Sequence, residues 1–176
     1  MRTVKPHPYA GSLILIIAIA AVIGYDSLQD DAKTEGPQAG ASGTARVERA
    51  VDGDTVILSA GLGSSRIVGV DTPETVKPDT PVQCFGPKAS AFTKRVLEKG
   101  RAVRYRVARE PVDTYGRTLV YIWLPDGRFF NAMLIGRGYA RPLPFPPNTR
   151  YAPLFQRLAV DAARTGRGLW SHCGDP

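Results

Sequence analysis

Hydrophobic residues are spaced differently in successive parts of the chain, and this spacing divides it into three segments. Residues 10–24 form a nearly unbroken apolar run that follows Arg2 and Lys5 and precedes Asp26. Basic residues before the run and acidic residues after it predict export, with residues 1–25 as a signal peptide or signal anchor. The run is shorter than the ~20 residues of a membrane span. Its Ala-x-Ala triplet lies inside the run, so cleavage and anchoring both stay open.

The remainder divides into a spacer and one domain. Residues 26–44 are small and polar and include Gly and Pro, which predicts a flexible, disordered linker. Residues 45–176 are typical of a folded domain. Apolar runs predict strands over residues 55–58, 66–70, 102–108 and 118–124. Apolar stripes with Gly or Pro at their ends predict helices over residues 87–99, 131–135 and 151–165. Short strands with helices between them indicate a small α+β barrel.

The folded segment is basic, and the composition excludes two classes of site. From residue 45 onward there are 20 Lys and Arg against 12 Asp and Glu, a net charge of +8. Such an excess favours a polyanionic partner, because neutralised phosphates release bound counterions, but it fits a solvated basic surface equally well. The chain has only two histidines, His7 and His172. A Ser-His-Asp triad and a His-rich zinc site are therefore excluded.

Two carboxylates stand at the ends of neighbouring predicted strands. Asp54 lies in residues 52–56 (DGDTV) and Asp71 lies in residues 70–75 (VDTPET). Adjacent strands can bring such ends together, and hard oxygen ligands at one point suit Ca²⁺ or Mg²⁺. Thr72 can add its backbone carbonyl. These three residues predict a site for a hard divalent cation.

Three further side chains suit phosphoryl chemistry. Pro73 fixes the chain direction so that Glu74 projects beside the metal, where a carboxylate can act as general base toward water. Arg66 and Arg117, the latter in residues 113–117 (DTYGR), carry planar guanidinium groups that fit phosphate oxygens. Each motif alone is weak, since a DGDT tetrapeptide is ordinarily a turn. Three acids and two arginines at one place would form a phosphoryl-hydrolysis site.

Taken together, these motifs resemble the staphylococcal nuclease (thermonuclease) family over residues 46–171. The shared pattern also includes residues 86–94 (GPKASAFTK) and residues 169–171 (LWS). The resemblance implies an OB-fold, a five-stranded β-barrel with three helices. It also implies a Ca²⁺-dependent endonuclease that hydrolyses phosphodiester bonds of DNA and RNA and leaves 3′-phosphates.

The resemblance further implies roles for seven residues of this chain. These are the calcium ligands Asp54, Asp71 and the carbonyl of Thr72, the catalytic residues Arg66, Glu74 and Arg117, and Tyr115 beside the bound nucleotide. Two loops depart from the family pattern. Residues 76–82 (VKPDTPV) contain a single lysine where the best-known member is Lys-rich, and residues 141–147 are about one residue shorter than its nucleotide-stacking loop. Phe145 is a candidate for stacking there. Substrate affinity and base preference are therefore not predicted.

The two cysteines are candidates for a disulfide. Cys84 precedes the first predicted helix, and Cys173 follows the last motif. Because export would place them in an oxidising compartment, we expect them to be bridged. The bridge would close a loop of nearly 90 residues, which contributes on the order of 4 kcal/mol in the chain-entropy model. The alternatives are two buried free thiols, or a metal site that includes His172.

The predicted partners are DNA and RNA, together with a membrane if residues 1–25 are retained, and we expect a monomer. The expected location is outside the cell, secreted or anchored to the outer face of the cytoplasmic membrane. Two other functions stay open, a non-catalytic nucleic-acid-binding module of the same fold and a tethered adhesion or assembly domain. Asp54, Asp71 and Glu74 favour the enzyme, because buried anions would weaken a pure binder of polyanions.

Overall fold

The computed structural model describes residues 36–75 and 81–173. The predicted export segment and residues 26–35 of the predicted linker lie outside these ranges. One compact unit starts at Gly36, and its first strand starts at Ser42, three residues ahead of the predicted start of the domain. None of the helices in the described residues has the length and apolarity that crossing a bilayer requires.

Five strands form a closed barrel. They are β1 (Ser42–Ala50), β2 (Thr55–Leu58), β3 (Gly63–Ile67), β5 (Ala102–Val112) and β6 (Thr118–Trp123). Their order around the barrel is β1-β2-β3-β6-β5. Neighbours are antiparallel except β3 and β6, which run parallel. Two short strands, β4 (Val70–Asp71) and β7 (Arg141–Pro142), pair with each other outside the barrel. The expected five-stranded barrel is confirmed.

The hydrophobic pattern does not predict β1, although this strand closes the barrel. Residues 42–46 pair with residues 102–106 of β5. Only Ala45 and Val47 are buried in this strand, and the register shifts between Val47 and Arg49. Such an irregularity interrupts the alternation of apolar and polar residues by which a strand is detected in sequence. Backbone pairing with β5, rather than apolar character, therefore sets the start of the domain.

The single strand predicted over residues 66–70 is two strands in the structure. β3 begins earlier, at Gly63, and ends at Ile67. Gly69 has a φ of +79°, a left-handed conformation that glycine adopts without steric cost and that a strand does not contain. The chain therefore turns there, and Asp71 pairs with Arg141 of β7 instead of continuing in the barrel.

Three helices pack against the barrel, as expected, and a single helical turn follows them. They are α1 (Gly86–Val96), α2 (Phe130–Gly136), α3 (Ala152–Arg164) and the short α4 (Leu169–His172). Each of the first three contributes one phenylalanine, Phe92, Phe130 or Phe155, to the core shared with the barrel. α1 ends three residues before its predicted end because Leu97 leaves the helical conformation and is fully buried.

A disulfide joins Cys84 and Cys173, whose Cα atoms are 5.9 Å apart. The expected bridge is confirmed, and the alternatives of free thiols and of a cysteine metal site are excluded. The bridge ties the segment just before α1 to the residue just after α4. The C-terminal end of the described domain is thereby linked covalently to the segment that precedes α1.

Candidate active site

The carboxylate of Asp54 is buried at the centre of a hydrogen-bond network. In the turn before β2, Asp52 Oδ1 accepts hydrogen bonds from the backbone N–H groups of Asp54 and Thr55, at 3.0 and 2.7 Å. An aspartate favours such a turn because its side chain can bond to the backbone two or three residues further on. Asp54 Oδ2 accepts hydrogen bonds from the N–H and the hydroxyl of Thr72, at 3.0 and 2.9 Å. These bonds fix the orientation of the carboxylate.

Close packing around this turn requires glycine at position 53. A Cβ atom on Gly53 would lie 2.5 Å from Thr72 Oγ1, so a larger residue would push Thr72 away from Asp54. Thr93 of α1 donates a hydrogen bond to the Gly53 carbonyl at 2.7 Å and so fastens the turn to the helix. Burial, and then the charge of Asp54, raise the pKa of Asp52 above its usual value. Two carboxylates this close favour positive charge beside them.

Arg66 on β3 connects the two carboxylates among the predicted calcium ligands. Its Nη1 forms an ion pair with Asp54 Oδ1, and its Nη2 lies 3.5 Å from Asp71 Oδ1. Nη2 also donates a hydrogen bond to the Val70 carbonyl at 3.2 Å. The Asp54 side chain is 4% exposed and the Asp71 side chain is 56% exposed, so the pair reaches from the interior to the surface. The structure thus brings both acids to one guanidinium group. We refer to Asp54, Arg66, Asp71 and Thr72, together with Arg117 in the turn after β5, as the acid–arginine cluster.

The turn after β5 holds the second predicted arginine. Asp113 Oδ1 accepts hydrogen bonds from the N–H groups of Tyr115 and Arg117, both at 2.9 Å, and Oδ2 accepts one from Arg117 Nε at 2.7 Å. Burial alone would raise the pKa of Asp113, but these hydrogen bonds outweigh it and hold that pKa below its usual value. Arg117 Nη1 lies 3.5 Å from Thr55 Oγ1, which donates to Asp54 Oδ1 at 3.3 Å. The network is therefore continuous from Asp113 to Asp54.

A pocket of about 230 Å³ opens beside the cluster, and both predicted arginines line it. The Tyr115 ring is 83% exposed, and the Arg117 guanidinium lies 5.2 Å from its centroid. Leu143 and Phe145 are exposed and contribute apolar surface to the wall of the pocket. Guanidinium groups next to exposed rings suit a ligand that combines a phosphate with a planar base. The lining of the pocket therefore suits a nucleotide chemically.

Glu74 follows Thr72 by two positions in the chain. Its N–H donates to Gln83 Oε1 at 2.8 Å, and its carbonyl accepts a hydrogen bond from the Gln83 N–H at 2.9 Å. Its Oε1 accepts a hydrogen bond from the Thr75 N–H at 2.7 Å. Gln83 directly precedes the bridged Cys84. The disulfide is thus one residue away from the side chain that holds the Glu74 backbone.

The donor types in the cluster suit a hard divalent cation. Asp54 and Asp71 carry carboxylate oxygens, the Thr72 carbonyl would be a third oxygen donor, and the cluster contains no thiolate or imidazole. Among residues 36–75 and 81–173, no group of three His, Cys, Asp or Glu side chains gathers as a complete metal site. A cation bound here would therefore complete its coordination with water or with phosphate oxygens. Calcium accepts such mixed oxygen ligands, whereas a structural zinc site would need sulfur or nitrogen donors.

Several residues that organise the site are not singled out by the sequence. Thr55 lies inside the DGDTV motif, so its link between Asp54 and Arg117 is detectable only as part of that motif. Gln83 lies nine positions from Glu74, and no motif or spacing connects the two. The Val70 carbonyl, a partner of Arg66, has no side-chain signal at all.

Comparison with known proteins gives consistent matches. The family model described as staphylococcal nuclease homologue matches residues 64–172. The thermonuclease of Staphylococcus intermedius is 42% identical over 163 residues, which cover 91% of this chain and 95% of that protein. The thermonuclease of Staphylococcus hyicus is 37% identical over 164 residues, covering 91% and 96%. Endonuclease YncB of Bacillus subtilis is 34% identical over 131 residues, covering 73% and 62%.

Proposed function

The chain belongs to the staphylococcal nuclease family and is a nuclease, and we propose that it is a Ca²⁺-dependent endonuclease that hydrolyses DNA and RNA to 3′-phosphate ends. One observation carries this proposal. Arg66 pairs with both Asp54 and Asp71, while Arg117 joins the same network through Thr55. Two guanidinium groups and two carboxylates at one pocket can bind a phosphodiester and a cation together.

Asp54, Asp71 and the carbonyl of Thr72 would hold the calcium ion. When bound, the ion supplies positive charge that polarises the phosphate and offsets charge on its oxygens. The orientation of Asp54 is set beforehand by the Thr72 N–H and hydroxyl. Because these donors are fixed by the fold, the Asp54 carboxylate need not reorient when the cation binds.

The proposed reaction is an attack of water on phosphorus. Glu74 accepts a proton from the water as its oxygen bonds to phosphorus. Arg66 and Arg117 donate hydrogen bonds to the phosphate oxygens, where negative charge develops. The bond between phosphorus and the 5′-oxygen breaks, the 5′-oxygen takes up a proton from solvent and leaves as a hydroxyl, and the phosphate stays on the 3′ side; Glu74 then returns its proton to solvent. Tyr115 lies beside the nucleotide.

Replacement of the proposed base tests the mechanism. Glu74→Gln is expected to lower kcat by about 10²–10⁴-fold, the usual contribution of a general base, with far less effect on the Kd for an oligonucleotide. Glu98→Gln is the matched control, because Glu98 is exposed and pairs only with Arg101 among the described residues. Equal losses of turnover and binding in Glu74→Gln would show that Glu74 is structural.

Mapping of the product ends tests the reaction itself. The full-length protein is incubated with plasmid DNA and with RNA, in calcium and in a chelator. Cleavage of both substrates in calcium alone, with 3′-phosphate and 5′-hydroxyl ends, is the expected result. Binding of both substrates without any cleavage would instead identify a non-catalytic binding module.

Export, and action as a monomer outside the cell, are the remaining parts of the proposal. The disulfide between Cys84 and Cys173 supports export, because such bridges persist in oxidising compartments. Residues 1–25 would direct the export and, if retained, would anchor the protein to the outer face of the cytoplasmic membrane. Cell fractionation checks the location, and sedimentation of the purified protein checks the monomer.

A further inference from the structure

A second groove, of about 530 Å³, lies on the outer face of the barrel formed by β1, β5 and β6. Val103 and Val107 of β5 are buried in the core, so Arg104 and Arg106 between them face outward, since side chains alternate along a strand. On β1, Ser42 pairs with Arg106 and Thr44 pairs with Arg104. On the other side, Trp123 of β6 pairs with Arg104. We call the groove lined by Ser42, Thr44, Arg104, Arg106, Trp123 and Tyr151 the basic groove.

The arginines of the basic groove keep their charge uncompensated. Across the described part of the chain, neither Arg104 nor Arg106 forms an ion pair, in contrast to Arg66 and Arg117 at the pocket. Their neighbours on β1 carry hydroxyl groups, which can also donate to phosphate oxygens. A polyanion bound here would therefore displace counterions only, with no carboxylate to compete for the guanidinium groups.

A fixed aromatic surface adjoins these charges. The half-buried Trp123 ring stacks on Phe129, with centroids 4.7 Å apart and planes at 12°. Tyr151 packs edge-on against Trp123 at 6.3 Å, and the guanidinium of Arg150 lies 5.7 Å from the Tyr151 ring. Rings held in place by neighbouring rings lose little entropy when a base stacks on them. The combination of a basic groove and aromatic faces is typical of surfaces that bind single-stranded nucleic acid.

The basic groove and the pocket lie along the same strand. Leu119 of β6 lines the pocket, and Trp123 of the same strand lines the groove. The two residues lie on one face of β6, four positions apart, which corresponds to about 13 Å of strand. Tyr121 between them is buried against Tyr151, so a bound chain would pass over Tyr151 and Arg150. A polynucleotide can reach both regions, whereas a dinucleotide in the pocket cannot.

We propose that the basic groove is a second binding site for the polynucleotide chain, in which Arg104 and Arg106 bind backbone phosphates and Trp123 stacks on a base. This inference rests on the proposed nuclease function, because it gives the substrate a second point of attachment. It accounts for unpaired arginines on a face that the cleavage reaction does not use. Affinity for long substrates is therefore set partly outside the pocket.

Hydrolysis of substrates of two lengths tests the site. With the full-length protein, Arg104→Ala/Arg106→Ala is expected to raise KM for a 15-nucleotide oligothymidylate about tenfold, as loss of two phosphate contacts predicts. Its kcat, and both constants for the dinucleotide TpT, are expected to stay unchanged. Arg157→Ala/Arg164→Ala removes the same charge from exposed positions of α3 and serves as the control. Equal KM increases in the two double variants would overturn the proposal.

Binding without cleavage separates this inference from the proposed reaction. In a chelator, the 15-nucleotide oligomer is expected to quench tryptophan fluorescence in Trp170→Phe, which keeps Trp123, and not in Trp123→Phe. The slope of log Kd against log salt concentration is expected to fall by about 1.4 in Arg104→Ala/Arg106→Ala, at about 0.7 per phosphate contact. Quenching in both variants, or an unchanged slope, would overturn the second site even if the protein cleaves. Groove-dependent binding without cleavage would overturn the proposed reaction only.

Discussion

The arginines of the acid–arginine cluster and those of the basic groove are the same residue type in opposite settings. Arg66 and Arg117 are partly buried and ion-paired, and hydrogen bonds hold both of them in place. Arg104 and Arg106 lie on an outer strand face and have no ion pair among the described residues. In the cluster, position is fixed before any ligand arrives. In the basic groove, charge is available but geometry is not fixed.

The net charge of the chain, +7, therefore does not indicate how the arginines of either region act. A paired guanidinium contributes a fixed direction, which matters where charge develops during a reaction. An unpaired guanidinium contributes affinity that depends strongly on salt, which matters for holding a long polyanion. Variants in the acid–arginine cluster should therefore change stability and turnover. Variants in the basic groove should change KM and the salt dependence of binding.

The largest effect is expected at Arg66. Arg66→Ala would leave the buried Asp54 carboxylate without its cation, which costs about 3–5 kcal/mol of unfolding free energy for a broken buried pair. Loss of a preorganised donor would also lower kcat by about 10²–10³-fold. Arg104→Ala is expected to change the unfolding free energy by no more than about 0.5 kcal/mol. Urea denaturation of both variants makes the comparison, and similar losses of stability would contradict it.

The next effect concerns the disulfide, which adjoins the segment that holds the Glu74 backbone and has no residue in the basic groove. Cys84→Ser/Cys173→Ser is expected to lose about 2–4 kcal/mol of unfolding free energy, the usual range for a native bridge. Because Gln83 next to Cys84 holds the Glu74 backbone, kcat should also fall, while oligonucleotide binding in a chelator should not. Wild-type protein in reductant is the control and should match the variant. A variant as stable as wild type, with full kcat, would contradict this account.

A smaller effect is expected at Arg117. Arg117→Lys keeps the charge but removes the Nε donor to Asp113 and the planar fork. We expect about a tenfold loss of kcat, equivalent to about 1.4 kcal/mol, with an unchanged salt dependence of oligonucleotide binding. Arg106→Lys is the matched change in the basic groove and should leave kcat intact. A changed salt dependence of oligonucleotide binding in Arg117→Lys would contradict the proposed difference between the two regions.

The smallest effect is a pH dependence at Asp113. Its pKa is lowered in the folded protein because hydrogen bonds from Arg117 and Tyr115 outweigh the effect of burial. A lowered carboxyl pKa contributes stability above the unfolded pKa of about 3.9, and this stability is lost as pH falls through the folded pKa. Asp113→Asn lacks this titrating carboxyl. Its unfolding free energy should therefore fall less steeply than that of the wild type between about pH 5 and about pH 2. Identical slopes for variant and wild type would contradict it.

Much of the fold and the site could be read from the sequence, and the exceptions have a common cause. β2 and β6 are continuous apolar runs and match their predicted positions to within one residue. β1 is missed because its pairing with β5 is made by the backbone of residues 42–46, of which only Ala45 is buried. The strand predicted over residues 66–70 is divided because Gly69 turns the chain. Side-chain patterns report burial, and they do not report backbone pairing between distant segments.

The sequence alone identifies the candidate residues of the site, since Asp54, Arg66, Asp71 and Arg117 stand in motifs whose composition already suggests phosphate and a hard cation. Only the tertiary structure decided which arginines are bound by carboxylates and which remain available, because pairing depends on distances between residues far apart in the chain. Arg66 reaches Asp54 across twelve positions and becomes fixed. Arg104 lies opposite Thr44 and Trp123, where no carboxylate lies within reach in the described residues, and so it stays free to bind another molecule.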